Sequence, residues 1–175
     1  MSFKYDPLGR RVQKASSAGT TDYLYDGFSL LEEVDQNGNV LARYTQGAAA
    51  DEPLSELRSS TSSYYEQDGL GSVTSMSNSA GALANTYSYD SFGKLIASTG
   101  SVTNPFQYTG REFDPETGLR YYRARYYDQS VGRFLNEDPA RLVANYYAYV
   151  SNGPTRWTDP LWPVQSRNSF LEARP

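Results

Sequence analysis

The chain has 175 residues, a net charge of −4, sixteen tyrosines, no cysteine and no histidine. That length suits one domain with a sizeable core. The missing cysteine excludes a disulfide framework and thiolate chemistry. With histidine gone as well, the common zinc ligands and the usual neutral-pH general base are absent. Any catalysis therefore falls to carboxylates, hydroxyls, lysines or arginines, and no cofactor or metal is expected. The charge gives no global pull toward nucleic acid or an anionic membrane, and no apolar run is long enough to span a bilayer. The opening "MSFKYDPLGRR" lacks the apolar core of a signal peptide. Export would need a larger chain or a non-classical route to the cell surface or beyond.

From the N-terminus the dominant feature is repetition. Tyrosines recur at Tyr5, Tyr25, Tyr44, Tyr64, Tyr87/Tyr89 and Tyr108, a period of roughly 20 residues, the lower edge of repeat architectures. Several open a related phrase: "YDPLGRRVQK", "YDGFSLLEEV", "QDGLGSVTSM" and "YDSFGKLIAS". Each reads as an aspartate-capped turn with a glycine, followed by an alternating strand. "VDQNGNVLARYT" predicts a hairpin with a two-residue Asn37-Gly38 turn between strands at Leu30–Val34 and Val40–Tyr44. "SNSAGALANTYSYD" repeats the pattern, with its bend at Ser79-Ala80-Gly81. Residues 48–63, "AAADEPLSELRSSTSS", are small and polar and read as a loop with one helical turn around Glu52–Leu57. "STGSVTNP", Ser98–Pro105, reads as a linker. The tyrosines suit one face of an antiparallel sheet; a ladder of exposed rings that binds carbohydrate is the alternative.

Past the linker, "GLRYYRARYYDQSVGRFLNEDP" (Gly118–Pro139) packs four tyrosines among four arginines: Arg120, Arg123, Arg125 and Arg133. Tyr121, Tyr122, Arg123, Tyr126, Tyr127 and Phe134 are expected to form a structural core. The arginines should pair with Glu112, Asp114, Asp128 or Glu137, and Arg125 should point toward Asp138. Stacking of bases on alternating Arg and Tyr is the weakest reading, and no nucleic-acid partner is expected. Two Asp-Pro pairs follow, Asp138-Pro139 and Asp159-Pro160. Aspartate before proline is a common turn starter. Two carboxylates brought close share a proton instead, so that one can activate water while the other protonates a leaving group.

The run "PFQYTGREFDPETGLRYYRARYYDQSVGRFLNEDP", the later "NYYAYVSNGPTRWTDPLW" and the phrases "YDPLGR", "DGLGSV" and "YDSFGKL" resemble the RHS (rearrangement hot spot) repeat proteins, from Tyr5 to about Leu161. The resemblance implies an all-β fold: successive antiparallel hairpins (YD repeats) forming part of a curved, hollow RHS shell, with a C-terminal core segment folded inward. In such bacterial polymorphic toxins the shell holds a C-terminal toxin until delivery by type VI secretion, Tc toxin complexes or related routes. The core is similar to an aspartyl autoprotease that severs the toxin. On that resemblance Asp138 and Asp159 are the catalytic residues and Arg125 supports them.

The chain departs from the family pattern Asp-Pro-x-Gly-Leu, carrying Leu161, Trp162 and Pro163 after Asp159-Pro160. The expected organisation is YD-repeat hairpins over 1–104, an RHS-associated core over 105–162, and a tail over 163–175 too short to be a folded toxin. The expected function is a wall-and-core fragment of a toxin-encapsulating delivery shell. An active autoprotease and a carbohydrate-binding surface module are the alternatives. Expected partners are the rest of an RHS shell, or a second copy through an open sheet edge, with secretion-machinery or immunity proteins beyond.

Overall fold

The computed structural model describes residues 1–49, 51–139, 141 and 145–159. Ten strands form one antiparallel sheet: β1 (Ser2–Tyr5), β2 (Arg11–Ser16), β3 (Gly19–Asp26), β4 (Ser29–Asp35), β5 (Val40–Gln46), β6 (Pro53–Arg58), β7 (Thr61–Gln67), β8 (Val73–Asn78), β9 (Leu83–Tyr89) and β10 (Leu95–Thr99). Their order in space is their order in sequence. A second sheet follows, also in sequence order: β11 (Glu112–Asp114), β12 (Leu119–Tyr122), β13 (Arg125–Asp128) and β14 (Arg133–Phe134). No α-helix occurs among the described residues, so the all-β expectation holds, and no helix there is long and apolar enough to cross a membrane.

Five hairpin turns share one design, at Asp6, Asp35, Asp68, Asn78 and Asp90. In each, the side-chain oxygen accepts the backbone N–H groups two and four residues on, at 2.8–3.1 Å. The glycine three residues on takes φ of +77° to +83°, which glycine alone adopts at little cost. Asn37-Gly38 therefore lies inside a longer capped loop, closed by Asp35 N–H donating to the Asn39 carbonyl, and is not a two-residue turn. Asp90→Ala is expected to lower stability by about 1–2 kcal/mol, since two backbone donors lose their acceptor. Asp90→Asn should stay within about 0.5 kcal/mol, because Asn78 already builds the same turn with an amide. Urea midpoints of the two variants check this.

The expected loop over 48–63 is largely strand, and the helical turn at Glu52–Leu57 is absent: β6 and β7 pair through Ser55↔Tyr64 and Arg58↔Thr61. The alternation is broken by a register shift against β5 beside Leu54. Glu56 and Ser63 point inward and are buried, whereas Leu54 and Leu57 are exposed. Glu56 survives burial by accepting the Tyr65 hydroxyl at 3.1 Å with Arg58 3.7 Å away. The joining turn uses Ser59 and Ser60, both at positive φ, without the usual glycine or asparagine.

The tyrosine period equals one hairpin, so the repeat tyrosines from Tyr5 to Tyr89 sit on odd-numbered strands, while Tyr108 lies in a short 3-10 turn beyond the sheet. The inward face of the sheet buries Tyr23, Leu30, Ala42, Tyr44, Tyr65, Val73 and Met76 together with Phe106 from beyond the sheet. Phe106 stands edge-on to Tyr44 and Tyr65, with ring centroids 5.0 and 5.9 Å away. A second cluster joins Tyr108, Tyr122, Tyr127, Phe134 and Tyr149. Of the sixteen tyrosines only Tyr5 and Tyr64 are exposed, and the Tyr5 hydroxyl is bonded to that of Tyr126. The ladder of open rings that a sugar-binding surface requires is not built.

Candidate functional site

In a sheet whose strands follow sequence order, the turns leaving odd-numbered strands all fall at one end. Those turns are at Asp6, Gly27, Asp51, Asp68 and Asp90, and the segment after Pro105 docks on them one by one. The Tyr121 hydroxyl donates to the Gly9 carbonyl at 2.7 Å. Arg123 holds Asp51 bidentately at 2.6 and 3.3 Å and reaches the Phe28 carbonyl. Thr109 N–H donates to Ser72 Oγ at 3.0 Å. The Tyr108 hydroxyl donates to the Ser91 carbonyl and that of Tyr127 to the Phe92 carbonyl, at 3.0 and 2.7 Å. These contacts explain the density of tyrosine and arginine in the Gly118–Pro139 block. Each side chain ends in donors, and the turns present carbonyls and carboxylates. Tyr121, Tyr122, Tyr127 and Phe134 are buried as expected; Arg123 and Tyr126 are half-buried.

Within this frame Arg125 opens β13, its register partner being Tyr122. The guanidinium lies 3.7 Å from the Phe134 ring centroid, so its plane is set by stacking. Its Nη2 donates to Asp159 Oδ2 at 3.0 Å, and its Nη1 lies 3.7 Å from Asp138 Oδ2. Asp138 is held by its N–H donating to the Tyr146 carbonyl at 2.9 Å. The structure thus brings together the three residues that the sequence singled out. Burial pushes the Asp159 carboxyl up from its ordinary value; Arg125 and Arg111 oppose that, and Asp138 adds to it. Pro160, Leu161, Trp162, Pro163 and the tail to 175 lie outside the described residues.

The other arginine pairings differ from expectation. Glu112 and Asp114 are taken by Arg11, at 2.6 and 2.5 Å, not by the Tyr/Arg block. Arg120 is buried without an ion-pair partner among the described residues: it donates to Gln107 Oε1 at 3.2 Å among the rings of Tyr89, Tyr108 and Phe113. Arg133 lies over Tyr147. Arg111 and Asp51 escaped the sequence reading. Arg111 is buried and bridges Asp51 Oδ2 at 3.0 Å and the Asp159 carbonyl at 2.9 Å. Asp51 sits at φ +58° within residues 48–63, where nothing in the local sequence signals it.

The model of the teneurin YD-shell matches residues 1–153. The chain belongs to the teneurin YD-shell family. Relatives of this YD-shell chain bear out its RHS/YD-repeat character. The tRNA3(Ser)-specific nuclease WapA of Bacillus spizizenii is 37% identical over 170 residues, which cover 91% of the chain and 7% of the relative. The double-stranded DNA deaminase toxin A of Burkholderia cenocepacia is 32% identical over 191 residues, covering 90% of the chain and 13% of the relative. The crystal structure of TcdB2-TccC3-Cdc42 superposes with a TM-score of 0.71 over 90% of the chain and 9% of that structure, at 22% identity, a likeness of fold. The YD-shell chain therefore spans only about a tenth of the length of these proteins.

Proposed function

We propose that the chain is the wall-and-core portion of a toxin-encapsulating shell, with residues 1–104 as wall and 105–162 as an inward plug. The observation that carries this reading is the successive docking of core donors on the turns at one end of the sheet: a plug seated along a wall. A longer protein of this family would deliver a cargo that follows the plug, outside the producing cell. In the full-length gene product a folded passenger placed after the core should resist added protease for hours, and the same passenger behind residues 105–175 alone should be digested in minutes. Equal digestion would remove the encapsulation reading.

The partner we propose for the open edge is a strand from the rest of the shell. All five residues of β10 are exposed and, among the described residues, the strand pairs only with β9. The chain turns away after Gly100, where the Asn85 amide pairs with both backbone groups of Val102, at 2.7 and 3.1 Å. The described continuation therefore leaves the edge uncovered, and edges of this kind recruit strands. Amide exchange over residues 95–99 should slow on going from this chain to the full-length protein; unchanged exchange would contradict the pairing.

A second reading is favoured by the Arg125 bridge. Asp138 and Asp159 would act as an acid–base pair: Asp138 takes a proton from water as the hydroxide attacks a peptide carbonyl, and Asp159, whose carboxyl is pushed up, protonates the departing amine. A passenger fused after residue 175 should be released from the wild type, and Asp159→Asn should slow release by about 10²-fold or more. An uncut wild type would end this reading.

A further inference from the structure

We propose that Arg111 is a positioning residue for Asp159, and that Asp51 on the wall orients Arg111, so that the carboxylate pair is assembled only when wall and core are docked. This rests on the second reading above for its chemical consequence, though not for its geometry. The relay is continuous. Asp51 Oδ2 forms an ion pair with Arg111 Nη2 at 3.0 Å, and the same nitrogen donates to the Asp159 carbonyl at 2.9 Å. Asp159 in turn presents Oδ2 to Arg125 at 3.0 Å.

Every joint is constrained. The Arg111 guanidinium lies over the Tyr122 ring, 4.7 Å from its centroid, and Tyr122 is pinned by Thr109 and Tyr149 through its hydroxyl, at 2.7 and 3.1 Å. Asp51 is held by Arg123 as well as Arg111. Its carbonyl accepts the Gln67 amide at 3.3 Å. That carbonyl also lies so close to Gly110 that a Cβ there would stand 2.2 Å from it, so residue 110 must be glycine for the wall turn to seat. A planar guanidinium held by stacking can aim one nitrogen at a carbonyl while its charge faces a carboxylate; a lysine ammonium lacks that plane and stands closer to the backbone. Wall and core thus share the residue that fixes the main chain of Asp159.

The charged groups facing the Asp159 carboxyl are Arg125, Arg111 and Asp138, with Asp51 behind Arg111. Arg111→Lys keeps the charge and removes the stacked geometry. Asp51→Asn keeps the backbone, since asparagine tolerates positive φ, and removes the anchor. We expect the Asp159 carboxyl, followed by ¹³C NMR titration, to move away from its wild-type midpoint in both variants, with the double variant adding nothing further because both break one relay. In passenger-fused chains both should slow release about tenfold. Wild-type titration in Arg111→Lys, or additive shifts in the double variant, would overturn the relay even if the wild type cuts. Non-additive shifts in a chain that never cuts would uphold the relay and discard only the peptidase reading.

Discussion

Replacing Arg11 with alanine is expected to cost about 3–5 kcal/mol at neutral pH, the usual penalty for leaving a buried charge without its partner. Arg11 is 2% exposed, and its two terminal nitrogens meet Asp114 Oδ2 at 2.5 Å and Glu112 Oε2 at 2.6 Å. Phe3, Tyr23 and Tyr121 wall the guanidinium in. Truncation leaves two carboxylates facing each other in an aromatic pocket, with Lys14 3.6 Å from Asp114 and the Arg123 charge acting on Glu112. Burial already pushes the Glu112 carboxyl above its ordinary value, and Arg11 is the chief group holding it down. A folded-state value raised above the unfolded one opposes folding as the pH rises between the two. Removing Arg11 raises it further, so the variant loses most at neutral pH. Below about pH 4, where Glu112 is protonated in the unfolded chain too, the loss should shrink. Urea midpoints at the two pH values test this; a penalty independent of pH would show that packing of the arginine stem, rather than its charge, holds the core to the wall. The triple change Arg11→Met, Glu112→Gln, Asp114→Asn should recover most of the stability, since no buried charge is left unpaired.

The same residue marks where the sequence stops being legible. The hairpin design could be read because it is local: an aspartate, two residues, a glycine and the residue after it contain the whole hydrogen-bond pattern of the Asp6, Asp68 and Asp90 turns, whereas at Asp35 the strong Asn37-Gly38 turn signal masked the same design. The partner of Glu112 and Asp114 could not, because Arg11 lies about a hundred residues away and nearer arginines compete for the assignment. Strands β6 and β7 were hidden for another reason. Pattern reading assumes apolar residues inside, and here a hydrogen-bonded Glu56 and Ser63 face inward while Leu54 and Leu57 face out. Asp138, Asp159 and Arg125 were singled out by family resemblance alone, since an Asp-Pro pair read locally is a turn. Their convergence depends on Arg111 and Asp51, one far up the chain from Asp159 and the other in a stretch without pattern.

Tyr127→Ala should destabilise the protein by about 3–5 kcal/mol, the range for deleting a fully buried aromatic ring. Tyr127 has no exposed surface, and its ring packs against Tyr122, Phe134 and Tyr149 with centroids 4.6–5.6 Å away. Truncation opens a cavity between rings that are themselves fixed: Tyr122 by its hydroxyl bonds, and Phe134 beneath the Arg125 guanidinium. The site can collapse little, which puts the cost toward the upper end. Tyr127→Phe separates ring from hydroxyl. It leaves the Phe92 carbonyl without its donor and should cost about 1–3 kcal/mol. Because Phe92 belongs to the Asp90 turn, the smaller change acts on the seam between plug and wall, whereas the larger acts on the plug itself. Tyr127→Phe combined with Asp90→Ala should therefore be non-additive, while Tyr127→Phe combined with Asp6→Ala, at the far edge of the wall, should add within about 0.5 kcal/mol. Additivity in both pairs would mean that the plug and the turns beneath it fold as separate units, and that the hydroxyl contact along the seam transmits nothing.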